Sequence, residues 1–248
     1  MARRKFLPSK RFSIRTLLAV TFLSAICAFF YFRYATRRQA IEVLDNHGFR
    51  ITHADASEVP FYLRLAAYLG DQRALFPIHE IGNFAELHHP GVIDAVAQLT
   101  ELKHLRLEYQ EEGTGLEKLS ALVNVERVTA IGGFVLDDSF LNSFSRLEVF
   151  KWDEGELQSD LSVFGQHADL REISIDSIAV KVTDDSFARL CECSQLEKLE
   201  LRVNVSGLSD FGPILKLKKL KEVRGLLNPD NPQHLDIIAR LPRECIVE

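Results

Sequence analysis

The hexapeptide LEKLEL, residues 196–201, is the fifth of six segments built on one pattern, and that recurrence constrains the fold more than any other feature of the chain. The others are LKHLRL from 102, VERVTA from 125, LEVFKW from 147, LREISI from 170 and LKEVRG from 220, at steps of 23, 22, 23, 26 and 24 residues. Seventeen of the eighteen residues at positions 1, 4 and 6 are apolar, Gly225 being the exception. At 46% hydrophobic composition a chance draw gives about eight. Apolar residues two apart read as a short strand with one buried face.

Columns upstream carry a second period. Six residues before each segment stand Val96, Leu119, Leu141, Phe164, Leu190 and Ile214; three before stand Leu99, Leu122, Phe144, His167, Cys193 and Leu217. Nine before, the column reads Ile93, Leu116, Asp138, Leu161, Phe187 and Phe211. A spacing of three predicts a helical or 3₁₀ turn ahead of every strand. Ten before stand Val92, Gly115, Asp137, Asp160, Ser186 and Asp210, five of which suit a helix N-cap. Such a unit cannot bury its apolar face alone, so the units must stack and both ends need caps.

The pattern resembles that of the leucine-rich-repeat family, L-x-x-L-x-L-x-x-N-x-L, most closely in the fifth unit with Leu196, Leu199, Leu201 and Asn204. The likeness covers roughly residues 76–248. It implies an α/β solenoid, with short parallel strands on one face and short helices or 3₁₀ turns on the other. It also implies a buried, structural role for Asn204, although the asparagine column otherwise reads Gln110, Gly133, Gly155 and Ile178 before Asn228. Six recognisable units fill 76–228, and 229–248 form a C-terminal cap with a helix around Gln233–Arg240 and a strand CIVE.

The remaining chain is of another kind. Residues 1–38 hold nine Lys or Arg and no acid, which leaves 21 basic against 35 acidic residues in 39–248. So acidic a body is repelled by nucleic-acid phosphate, and nucleic acid is not an expected partner. The basic head, 1–15, is followed by seventeen uncharged residues, Thr16 to Phe32. At 1.5 Å per residue they span roughly 25 Å, and snorkelling of Arg15 and Arg33 brings that to a bilayer's ~30 Å core. A transmembrane helix over 16–32 is expected, retained as a signal anchor because the apolar run continues through FFYF past any small-residue cleavage point. Six basic residues before the span and three after it place the N-terminus in the cytoplasm and the repeats outside it. RRQAIEVLDNHG reads as a juxtamembrane helix stopped by Gly48, FRITH as a strand, and VPFYLRLAAYLG as a second helix, together an N-terminal cap over 33–75. RFSIRTLLAVTF, RRQAIEVLDNHG and ARLPRECIVE give a wider resemblance to small bacterial membrane-anchored leucine-rich-repeat proteins, which carries no activity with it.

In stacks of this kind the outward strand face is the expected binding surface. It holds His104, Arg106 and Glu108; Arg127; Lys151 and Asp153; Glu172 and Asp176; Lys198, Glu200 and Arg202; and Arg224. Their mixed sign suits a polar protein or peptide partner. Cys193 falls in a core column and reads as a buried thiol, with a disulfide through Cys191, Cys193 or Cys245 as the alternative. His88 and His89 lack a spaced partner for a metal site. No phosphate loop, G-x-S-x-G, H-E-x-x-H or zinc-spaced cysteine quartet occurs, so neither an enzyme nor a cofactor is expected. Two readings remain: a membrane-tethered recognition scaffold, or a structural, self-associating envelope protein.

Overall fold

The computed structural model describes residues 14–55, 57–61, 63–64, 76–82, 90–108, 116–158 and 161–248. Most of the basic head, most of the expected second cap helix and His88–His89 lie outside the described residues. Nine strands form one sheet in strict chain order. They are β1 (Arg50–His53), β2 (Ile78–Gly82), β3 (His104–Glu108), β4 (Arg127–Asp137), β5 (Val149–Gln158), β6 (Glu172–Thr183), β7 (Lys198–Gly207), β8 (Glu222–Arg224) and β9 (Ile246–Val247). Only β1 and β2 are antiparallel; every later pair is parallel.

The sequence columns become hydrogen bonds. The amide of the first motif residue donates to the carbonyl three residues earlier: Leu102 to Leu99, Val125 to Leu122, Leu147 to Phe144, Leu170 to His167, Leu196 to Cys193 and Leu220 to Leu217, at 2.9–3.3 Å. That turn delivers the chain into the strand. The next amide reaches the preceding unit, with Glu126 donating to Lys103 at 2.8 Å, Glu148 to Glu126 at 2.7 Å and Arg171 to Glu148 at 2.8 Å. Glu197 to Arg171, Lys221 to Glu197 and Ile246 to Lys221 continue the series at 2.7–2.8 Å. All apolar residues at positions 1, 4 and 6 are buried, as are the columns three and six residues upstream.

Opposite the sheet run α2 (Pro90–Ala97), α3 (Asp138–Asn142), α4 (Asp184–Leu190) and 3₁₀ segments Leu116–Ala121, Ser162–Gln166 and Gly212–Lys216. The capping column differs from expectation. Thr183 caps α4, while Ser186 sits at its third residue and completes a reciprocal capping box. Asp210 accepts from Gly212 N at 2.8 Å, one residue before the assigned cap Phe211.

The asparagine expectation is also corrected. Asn204 is half-buried within β7, and its Oδ1 accepts from Ser206 N at 3.0 Å in a local turn. β4 to β7 are 10–12 residues long, so Gly133, Gly155 and Ile178 lie inside strands. Gly155 pairs with Phe134 of the neighbouring strand, whereas Gly133 and Ile178 fall where the register shifts. The strands are therefore short only in the outer units.

Gly225, the one failure of the apolar pattern, has a structural reason. Its φ is +73°, and a Cβ would stand 2.6 Å from the Leu201 carbonyl oxygen. Its amide donates to Glu248 O at 3.0 Å, tying β8 to the C-terminus. The left-handed turn reverses the side-chain parity after Arg224. Leu226, which strict alternation from Arg224 would turn outward, is buried instead.

At the other end α1 runs unbroken over Ile14–Asn46, 33 residues, so the expected span and juxtamembrane helix are one element. It is long and apolar enough to cross a membrane by length and composition. Its last turns present Tyr34, Ala40, Ile41 and Leu44 to the core of the stack. It ends as the sequence predicts: Gly48 has φ 75°, Gly48 N donates to Asp45 O and Phe49 N to Leu44 O, with Phe49 and Leu44 both buried. α5 (Pro232–Arg240), capped by Asn231, and β9 close the C-terminal end.

Cys193 Sγ donates to Phe164 O, and burial pushes both Cys191 and Cys193 up to about 12. All four cysteines are free thiols.

Two tests follow from this core. Gly225→Ala lowers stability by about 2–4 kcal/mol, from the left-handed backbone and the carbonyl clash, in thermal unfolding of the full chain in detergent. Gly91→Ala, whose Cβ meets nothing within 4 Å, is neutral or stabilising. His167 is 5% exposed among apolar neighbours, and burial holds its imidazole below its ordinary value. The unfolded chain then takes up a proton below pH ~6.5 that the folded chain refuses, so this contribution to stability is complete above that pH and falls as pH drops. The stability difference between wild type and His167→Leu is constant around neutral pH and changes toward pH 5, with wild type losing more.

Candidate functional site

Parallel pairing without slippage over the motif residues puts the outward side chains in three rows. The first runs Glu80, His104, Arg127, Val149, Glu172, Lys198, Glu222. The second runs Arg106, Thr129, Lys151, Ser174, Glu200, Arg224, and the third Glu108, Ile131, Asp153, Asp176, Arg202. Neighbours within a row are one strand spacing apart, about 4.8 Å, which is close enough for opposite charges to meet.

Seven of the expected residues meet in one network. Lys198 Nζ lies 3.5 Å from Glu172, 3.7 Å from Glu222 and 3.9 Å from Glu200. Lys151 reaches Glu172 from the other side at 2.9 Å. Arg202 bridges Asp176 at 3.3 Å and Glu200 at 3.2 Å, and Ser174 Oγ donates to Glu200 at 3.1 Å. Arg224 closes the chain on Glu222 and on Glu248, 3.0 Å away. Glu222, Ser174 and Glu248 matter here although residue type alone did not single them out. Their signal is positional: each stands beside a cation in the neighbouring unit.

The other expected residues stand apart from this network. His104 is half-buried; burial first, then Arg127, hold it below the usual imidazole value, with the Glu80 carboxylate 4.0 Å away opposing. It is therefore neutral at pH 7. Arg106 lies in the second row beside Thr129. Arg127 and Asp153 are exposed and have no ion-pair partner among the described residues. Glu108 ends β3. Between these groups lies a shallow depression of about 270 Å³ lined by Thr129, Ile131, Lys151, Asp153, Ser174 and Arg202 among others. Its floor is the buried Trp152. It is smaller than the ~300–1,000 Å³ clefts that enclose small molecules, and suits a side chain or two of a larger ligand.

Comparison with known proteins finds no family profile and no curated protein that matches this sequence. Solved structures match in fold. An internalin, InlF, from Listeria monocytogenes aligns with a TM-score of 0.50 at 20% identity, over 62% of this chain and 42% of the internalin. Internalin C2 from the same organism aligns at 0.43 and 17% identity, over 69% of this chain and 80% of its own. The leucine-rich-repeat domain of the type III effector XopL aligns at 0.35 and 14% identity, over 98% and 97% of the two chains. The chain thus spans less than half the length of InlF. This likeness and the nine-strand stack described above show a leucine-rich-repeat fold.

Removing the central cation tests the network. Lys198→Ala leaves Glu172, Glu200 and Glu222 facing one another and lowers stability by about 1 kcal/mol. Thermal unfolding at low and high salt checks this, because screening shrinks the difference between variant and wild type.

Proposed function

We propose that this chain is a membrane-tethered, non-catalytic recognition scaffold that takes a protein or peptide along the outward strand face, outside the cytoplasm. One observation carries the reading. The face is a parallel sheet whose charges, among the described residues, are mostly matched to one another, except Asp153 in the lining of the depression and Arg127 outside it. The two lie four residues and one strand apart, about 14 Å by strand geometry. A ligand extended along the strands and carrying an acid and a base roughly four residues apart meets both. The internal pairs disfavour ligands of one uniform charge, since displacing a matched partner leaves a carboxylate or ammonium unpaired. The tether is α1, and the balance of six basic residues before its apolar stretch against three after it supports an N-terminus in the cytoplasm.

Capture from envelope extract tests the face. Arg127→Glu and Asp153→Lys each reduce recovery of the partner by about tenfold, with unchanged thermal unfolding, since both side chains are exposed. Equal recovery by wild type and both variants removes the strand face from consideration. A concentration-dependent oligomer of wild type in detergent, with no partner captured, favours the self-associating reading. A reporter on the C-terminus tests the topology: protease added to intact spheroplasts removes it in the proposed orientation, whereas protection places the repeats in the cytoplasm.

A further inference from the structure

We propose that the groove where α1 leaves its apolar stretch and meets the first repeat is a binding site for one anionic phospholipid, with the phosphate seated at Arg33 and Arg37 and an acyl chain along Phe29 and Phe32. The inference rests on the membrane tether proposed above and is independent of the strand face. The groove encloses about 360 Å³ between one face of α1 and the loop after α2, where Gln98 and Glu101 form its far wall.

Its two halves differ in chemistry. Phe29 and Phe32, 59% and 69% exposed, end the apolar run and have no core to pack against. One turn further on, the same helix face turns polar with Arg33, Thr36 and Arg37. From residue 29 to residue 37 the helix rises about 12 Å, which exceeds the roughly 5–8 Å headgroup layer and so reaches from the edge of the hydrocarbon past it. An amphiphile aligned with the helix matches both halves; a free anion matches only one.

Charge selects the headgroup. Arg37 is held in place: it pairs with Glu101 at 3.0 Å, both side chains being largely buried, and donates to Phe76 O. That pair is neutral. Arg33 is exposed, has no ion-pair partner among the described residues, and leaves the groove with one net positive charge. Arg37 Nε is buried and also lacks a hydrogen-bond partner among the described residues. One phosphate monoanion would neutralise Arg33 beside the guanidinium of Arg37 that lines the same groove. A zwitterionic lipid brings a quaternary ammonium beside two arginines, and is disfavoured by like charge. Because Arg37 is fixed by Glu101 and the Phe76 carbonyl, the site is organised before the lipid arrives.

The test is native mass spectrometry of the full chain in detergent, titrated with phosphatidylglycerol and with phosphatidylcholine of the same chain length. Wild type binds one phosphatidylglycerol at least about fivefold more tightly than phosphatidylcholine, the effect of about one arginine near a lipid surface. Arg33→Gln abolishes the preference, while Arg38→Gln, outside the groove, retains it. No preference in wild type, or equal loss in both variants, overturns the site. Displacement of the lipid by millimolar inorganic phosphate overturns the acyl-chain half and leaves an adventitious anion only. Flotation of wild type with vesicles separates this from the tether. Protein that floats without lipid preference sinks only the site, and protein that fails to float sinks the tether itself.

Discussion

The amide of the second motif residue in each unit donates to the carbonyl of the same residue in the unit before, from Lys103 through to Ile246. Everything else in the stack depends on that joint. It fixes the register between units, and with it which side chains face the core and which face outward. A slip of one residue would exchange the two sets, sending Leu199 and Leu201 to water and Glu200 and Arg202 inside. Burial of every apolar motif residue makes such a slip too costly to populate. The side chains at the same joint add charge pairs, Lys103 with Glu126, Glu148 with Arg171 and Glu197 with Lys221. Being exposed, they contribute little energy beside the backbone ladder.

The same register turns the outward face into a lattice. Lys198 is surrounded by three carboxylates because strands pair at a fixed spacing. A face matched to itself resists nonspecific association and confines useful contact to the charges left over. On the proposed reading, Arg127 and Asp153, peripheral in a list of residue types, thereby become the distinctive ones. The long central strands enlarge this face beyond what a short-strand repeat provides.

The N-terminal end is built differently. α1 contributes Ala40, Ile41 and Leu44 to the core, so the apolar segment and the repeats share one continuous helix rather than a flexible linker. The pair Arg37–Glu101 locks the join. If the apolar half lies in a bilayer, the first repeat sits at the lipid surface, and the sheet face has a defined orientation relative to it.

Sequence by itself determined the recurring strand motif, the buried columns, the outward rows and the stop at Gly48. Each depends on local spacing or on alternation, which one chain segment expresses without help. Tertiary structure decided what spacing does not encode. It fused the expected span and juxtamembrane helix, because nothing between Phe32 and Arg37 breaks a helix and the core of the stack accepts its far end. It extended β4 to β7 past the motif, because a neighbouring strand was there to pair with. It moved the cap of α4 from Ser186 to Thr183 and turned Leu226 inward behind Gly225. Above all it matched Lys198 to Glu172 and Glu222, 26 residues before it and 24 after it in the chain. Which charges cancel and which remain for a partner is a property of distances between units, and those exist only once the units have stacked.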